Sequence, residues 1–312
     1  MSDICRVEYF HKSNRHWRIT MKYFEKHPLP LVITGVIGVS LSAIFVRYSQ
    51  APALITAAYR LIWTVLIMTP AVLANKKVIG EIKNMKGRAL LLCAASGIFL
   101  AFHFSLWFES LNLTSVASST AIVCTEVIWV ALGYCIFMKG QLVTKAKISI
   151  AITVAGSIVI AMADGSAGGN SLYGDFLALL SALFSTVYTL IGKQVRKNLS
   201  TTAYTFIVYF FCAVSLCIMI PVSNISFTGY GWSAIIVGLL LCVFSTLLGH
   251  SIFNWAIKYY SPSFIAAIKL CQPAIAAVFA FILFSEIPSL PVIIGSIITI
   301  AGVVIYSKTE SE

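Results

Sequence analysis

The sequence predicts an all-α integral membrane protein: ten transmembrane helices arranged as two inverted five-helix repeats. Three observations predict it. The 312 residues are 59% hydrophobic and 11% charged, with a mean hydropathy of +0.92, whereas soluble domains carry about 25% charged residues. The apolar residues fall into ten runs separated by short polar loops. The second five runs echo the first five at a nearly constant offset.

The runs are roughly Leu31–Val46, Ala53–Leu73, Ala89–Leu111, Ser115–Phe137 and Ala146–Ala163, then Phe176–Ile191, Ala203–Ile220, Trp232–Ile257, Pro262–Phe284 and Val292–Tyr306. Spanning the hydrocarbon core takes about 20 apolar residues. Before them, residues 1–28 form a basic arm. Ile4, Val7, Phe10, Trp17, Met21 and Phe24 recur there at helical spacing among Lys, Arg and His. The arm reads either as an amphipathic helix on the inner leaflet or as a disordered basic segment. With no apolar h-region and cleavage site, it is not a secretory signal. The first repeat is expected over 29–163 and the second over 170–307.

The basic residues set the orientation. Lys76, Lys77, Lys83, Lys86 and Arg88 follow span two, Lys139, Lys145 and Lys147 span four, and Lys193, Arg196 and Lys197 span six. Lys258 follows span eight and Lys308 span ten, while the opposite side carries Arg47 alone. The positive-inside rule then predicts a multi-pass protein of the cell membrane with both termini cytoplasmic. The formal charge of +11 thus reflects orientation, and no nucleic-acid partner is expected. Eight scattered cysteines without a CxxC pair predict neither a disulfide framework nor a zinc site. No metal or cofactor is expected.

A shift of 147 positions superposes His103 on His250, Cys124 on Cys271 and Phe137 on Phe284. An odd number of spans per copy forces the two copies into opposite orientations. Inverted repeats of this kind place a substrate site near the membrane midplane.

Span nine organises the chain. Ser261 is placed to cap a helix and Pro262 suits its first turn. Inside the span lie Lys269 and Pro273. An ionisable group in a span must face protein or water, and a mid-span proline frees a carbonyl that lipid cannot satisfy. The stretch reads as a pathway-lining helix.

From Leu29 to Ser307 the chain resembles the drug/metabolite transporter superfamily, specifically the EamA type with ten spans in two five-helix units. The resemblance rests on the duplicated layout and on Tyr59-Arg60 in span two. It rests also on Leu111-Asn112-Leu113-Thr114-Ser115-Val116-Ala117 entering span four, and on Gln272-Pro273-Ala274 through Phe284-Ser285-Glu286. Two departures stand out: Glu126 occupies a position where the family often has proline, and Lys139-Gly140 occur where an acid usually ends the span. The resemblance implies a secondary transporter of small metabolites with a central cavity between the units.

Glu126, mid-span, is the sharpest site candidate, either as a proton-coupling carboxylate or as the partner of a buried cation. The repeat sets Lys269 at a similar depth, so the two either pair or hold a zwitterionic substrate between them. Gln272, Trp107, Asn254 and Tyr59 are candidate substrate contacts, Pro273 a gating position. Arg60 either steers an anion inward or, as arginines near span ends more often do, snorkels or pins a neighbour. Arg47 and Glu109 read as an outer pair. His103 and His250 read as a relay or, more simply, as histidines bonded to backbone carbonyls. Aromatics including Tyr59, Trp63, Phe104, Trp107, Trp129, Tyr134, Phe253 and Trp255 read as core packing or as an organic-cation cage. Gly35, Gly38, Gly156, Gly295 and Gly302 read as close-packing points.

These readings converge on a secondary active transporter, working by alternating access, of a small polar metabolite such as an amino acid, with export expected. An organic-cation transporter and a lipid or polyprenol-phosphate flippase are the alternatives. No GxxxxGK[ST] loop argues for ATP hydrolysis, and an intramembrane enzyme lacks a second catalytic carboxylate or HExxH pair. The expected partners are the substrate, the bilayer and protons or another coupling ion. Small-residue faces also permit a homodimer.

Overall fold

A computed structural model describes residues 27–114, 116–163, 171–284 and 289–311. The basic arm through residue 26 lies outside the described residues. Everything regular among the described residues is helical. The helices are α1 (Leu29–Arg47), α2 (Ala53–Ala74), α3 (Lys76–Lys83), α4 (Gly87–Leu113), α5 (Val116–Cys124), α6 (Glu126–Met138) and α7 (Thr144–Ala163). The second half has α8 (Ser171–Val195), α9 (Thr201–Val222) and α10 (Gly231–Leu240), which runs through a π-helical stretch, Leu241–His250, into α11 (Ser251–Ala256). Then come α12 (Pro262–Ile268), a 3-10 turn at Lys269–Cys271, α13 (Gln272–Phe284) and α14 (Leu290–Ser311).

Among the described residues, seven stretches are long and apolar enough to cross a membrane: Leu29–Val46, Ala53–Ala74, Gly87–Leu113, Leu172–Val195, Thr201–Val222, Gly231–Ala256 and Leu290–Thr309. They correspond to expected spans one, two, three, six, seven, eight and ten. Span five appears as α7. Spans four and nine are each broken near the middle; Pro273 foretells a bend in span nine, whereas the apolar run of span four predicts none.

The causes of the two breaks are local. In span four the Thr125 hydroxyl bonds the Ile122 carbonyl at 2.6 Å, and the Thr125 and Ile128 amides both reach back only three residues. A threonine that competes for its own helix's carbonyls bends it. In span nine Pro273 has no amide to give the Lys269 carbonyl, so the Gln272 amide takes it in a tighter 3-10 turn. The start of span nine is as expected: the Ser261 side chain caps the Phe264 amide at 3.1 Å, with Pro262 in the first turn.

The packing has a paired character. α7 lies along α14, and α2 along α9. The contact of α4 with α8 is matched by that of α1 with the π-helical stretch, and the contact of α4 with α9 by that of α2 with α10. Glycines let these helices approach. A Cβ on Gly156 would stand 2.6 Å from the Thr299 amide, and one on Gly302 2.9 Å from the Thr153 amide, so neither site has room for a side chain. Leu91, Phe176, Ile218, Phe281 and Ile297 are exposed, whereas Glu126, Lys269, Arg60, His103 and His250 are buried. Apolar outside and polar inside is the distribution of a protein surrounded by lipid.

Candidate functional site

The breaks in spans four and nine face each other at the middle of the bundle. Glu126 opens α6 immediately after the Thr125 break, and Lys269 closes α12 at the start of the 3-10 turn. Lys269 Nζ lies 3.1 Å from Glu126 Oε1 and 3.2 Å from Oε2. Thr189 on α8 donates its hydroxyl to Oε1 at 3.0 Å. The carboxylate sits in the first turn of α6, where the helix dipole favours negative charge. Of the two sequence expectations for the pair, direct contact is the one found.

The pair borders a cavity of about 40 Å3. Its wall includes His103, Trp107, Thr120, Ser185, His250 and Gln272 besides Glu126 and Lys269. By this measure one water needs about 10–15 Å3, so the closed arrangement takes a few waters and no metabolite. Trp107 Nε1, Thr120 Oγ1 and Ser185 Oγ are buried without a hydrogen-bond partner among the described residues. Buried polar atoms left unpaired are costly. Three of them around one cavity make its lining suited to a polar guest.

The remaining candidates divide between this centre and elsewhere. His103 Nδ1 meets the Ser181 carbonyl at 3.1 Å and its hydroxyl at 2.8 Å, the bland reading for that residue. His250 comes within 6.4 Å of His103, ring to ring, although 147 positions separate them in the chain. Phe253 lies 5.6 Å from the Lys269 ammonium. Pro273 shapes the turn that carries Lys269. Asn254 is buried behind the wall, donating to the Tyr188 hydroxyl and, at 2.8 Å, to the His250 carbonyl. Tyr59 points away: its hydroxyl bonds the Phe227 carbonyl at 2.8 Å in the loop after α9, and it contributes nothing to the cavity wall. Arg60 neither snorkels nor lies near a surface. It is wholly buried and bonded through Nε to Thr246 at 2.7 Å. Glu109 is exposed, and the Arg47 side chain lies outside the described residues.

Sequence reasoning missed the contribution of α8. Ser181 bonds His103, Ser185 lines the cavity and Thr189 bonds Glu126. The signal was present, since hydroxyls every fourth residue in an apolar helix share one face.

Residues 172–308 match the EamA-like transporter family. An uncharacterized transporter of Bacillus subtilis is 27% identical over 287 residues, covering 89% of this chain and 86% of its own. Uncharacterized transporters of Clostridium kluyveri and Archaeoglobus fulgidus are 27% and 25% identical, covering 74% and 72% of this chain and 77% of each relative. The second half of the chain therefore carries the EamA-like transporter match, and the relatives that extend over most of its length are transporters by name. The chain also shares its fold with a protein of known crystal structure, at a TM-score of 0.73 and 14% identity, over 90% of this chain and 96% of the other.

Proposed function

We propose that this transporter moves a small polar metabolite such as an amino acid by alternating access, with export as its direction and the Glu126–Lys269 pair as its centre. The observation that carries the reading is that ion pair, buried beside three unpaired polar groups. A buried pair is weak as a staple, because the cost of desolvating it rivals its attraction. A pair that opens to receive an ammonium on Glu126 and a carboxylate on Lys269 has a use for both charges. The two broken spans bring irregular backbone to the depth of the pair, as in other carriers with discontinuous helices.

The ten spans are read as two inverted five-helix units, 29–163 and 170–307. The matched helix contacts and the reciprocal pairing of Thr153 with Gly302 and Gly156 with Thr299 support that reading. Both termini are placed in the cytoplasm by the basic loops. An organic cation is the second reading, favoured by one observation: the Lys269 ammonium already stands over the Phe253 ring.

The test is a thermal-shift screen of the purified protein against amino acids and quaternary amines, followed by uptake into proteoliposomes. A ligand at 100 times its dissociation constant stabilises by about 2.7 kcal/mol. A zwitterion that stabilises the parent and not Glu126→Gln supports the reading. A cation that still binds after Lys269→Ala replaces it with the second.

A further inference from the structure

Arg60 is the buried charge that the central pair leaves unexplained. Its guanidinium is wholly buried, and the Nε bond to Thr246 uses one donor. Nη1 and Nη2 have no hydrogen-bond partner among the described residues. The side chains that act on it electrostatically include the Tyr209 and Tyr188 hydroxyls and the Cys212 and Cys242 thiols, which are ordinarily neutral near pH 7. Glu126 is already held by Lys269 and Thr189. A buried cation with no anion is among the most costly arrangements in a protein.

The geometry points to a carboxylate of the transported solute as the missing anion, bound by the Nη1–Nη2 fork of Arg60. The fork matches a carboxylate with two parallel hydrogen bonds, which a lysine cannot supply. Two rings separate it from the cavity. Phe104 has its centroid 4.1 Å from the Arg60 guanidinium carbon and meets the His250 ring edge-on at 5.2 Å, and His250 is part of the cavity wall. Thr246 and His250 both belong to the π-helical stretch, and π-helical turns often occur at functional sites. Displacement of Phe104 and His250 joins the guanidinium to the cavity. The inference rests on the transport reading above, moves the solute carboxylate from Lys269 to Arg60, and names the class of solute: one bearing a carboxylate, not an organic cation.

The experiment uses the full chain in detergent and benzoate as the probe, with benzamide as its neutral isostere and chloride and nitrate as inorganic anions. Benzoate is expected to raise the melting temperature saturably, and benzamide not to. Arg60→Gln is expected to abolish the benzoate shift, and Arg60→Lys to weaken its apparent affinity at least about tenfold, one hydrogen-bonded contact to a charge being of that order. Equal shifts from benzoate and benzamide, or no shift from benzoate, overturn the inference. A benzoate shift that survives Arg60→Gln but disappears in Lys269→Ala also overturns it and leaves the central pair standing as the site. A shift from chloride or nitrate alone makes Arg60 an inorganic-ion site and removes the carboxylate assignment. Should Arg60→Gln not fold, an unweakened shift in Arg60→Lys overturns the inference.

Discussion

One ammonium holds both oxygens of one carboxylate across the centre of the bundle: Lys269 Nζ is 3.1 Å from Glu126 Oε1 and 3.2 Å from Oε2, between residues 143 positions apart. Each residue sits at a break in its own span. The pair therefore joins two interrupted spans.

Removing one member strands the other. Glu126→Gln or Lys269→Met alone is expected to cost about 3–5 kcal/mol, the usual effect of leaving one buried charge unpaired. Changing both together is expected to recover most of that loss while transport stays absent. Unfolding in detergent and proteoliposome uptake separate the two effects. Two single variants as stable as the parent would show that the pair is not desolvated.

Pro273→Ala restores an amide that can reach the Lys269 carbonyl. The 3-10 turn is then expected to relax into continuous α-helix and move the Lys269 ammonium off Glu126. The gain of about 3 kcal/mol from removing a helix-interior proline is offset by the cost of separating the buried charges, so stability is expected to be unchanged or lower while transport falls. A variant that transports normally removes the break from the mechanism.

At Gly156 and Gly302 the facing backbone leaves no room for a methyl group. Gly156→Ala and Gly302→Ala are each expected to destabilise by about 1–3 kcal/mol, the range for overpacking a tight contact. The double variant is expected to lose less than the sum, because both lie at one helix pair. Gly80→Ala is the control. A Cβ there meets nothing within 4 Å, and a gain of about 0.5–1 kcal/mol is expected from helix propensity. Equal effects at all three positions would rule out the steric account.

The orientation is checked by labelling. In a background with the native cysteines replaced, Ser226→Cys is expected to react with an impermeant maleimide in intact cells. Gln141→Cys is expected to react only after permeabilisation. Both native residues are exposed, so the reverse pattern would invert the assignment from the basic loops.

Much of the central site was legible in the sequence because lipid makes charge expensive. Glu126, Lys269 and Pro273 stood out as residues a span does not tolerate idly, and the repeat put the first two at similar depth. Gln272, Trp107, His103 and His250 followed for related reasons and all line the cavity. Tyr59 and Arg60 were harder to read. They are neighbours in sequence, but consecutive residues of a helix point about 100° apart. Tyr59 turns to the Phe227 loop and Arg60 to Thr246 on the π-helical stretch. Hydropathy records depth along a helix and leaves its rotation open.

The sequence by itself determined that this is an all-helical membrane protein whose second half matches the EamA-like transporter family, and that an acid and a lysine lie inside its spans. Composition, basic loops and motif spacing are one-dimensional quantities, and the bilayer reads them directly. Only the tertiary structure decided that Glu126 and Lys269 touch, that α8 supplies Ser185 and Thr189 beside them, and that Arg60 is left with two donors unpaired. Those outcomes depend on helix rotation and on where two spans break, which are set by packing between segments far apart in the chain.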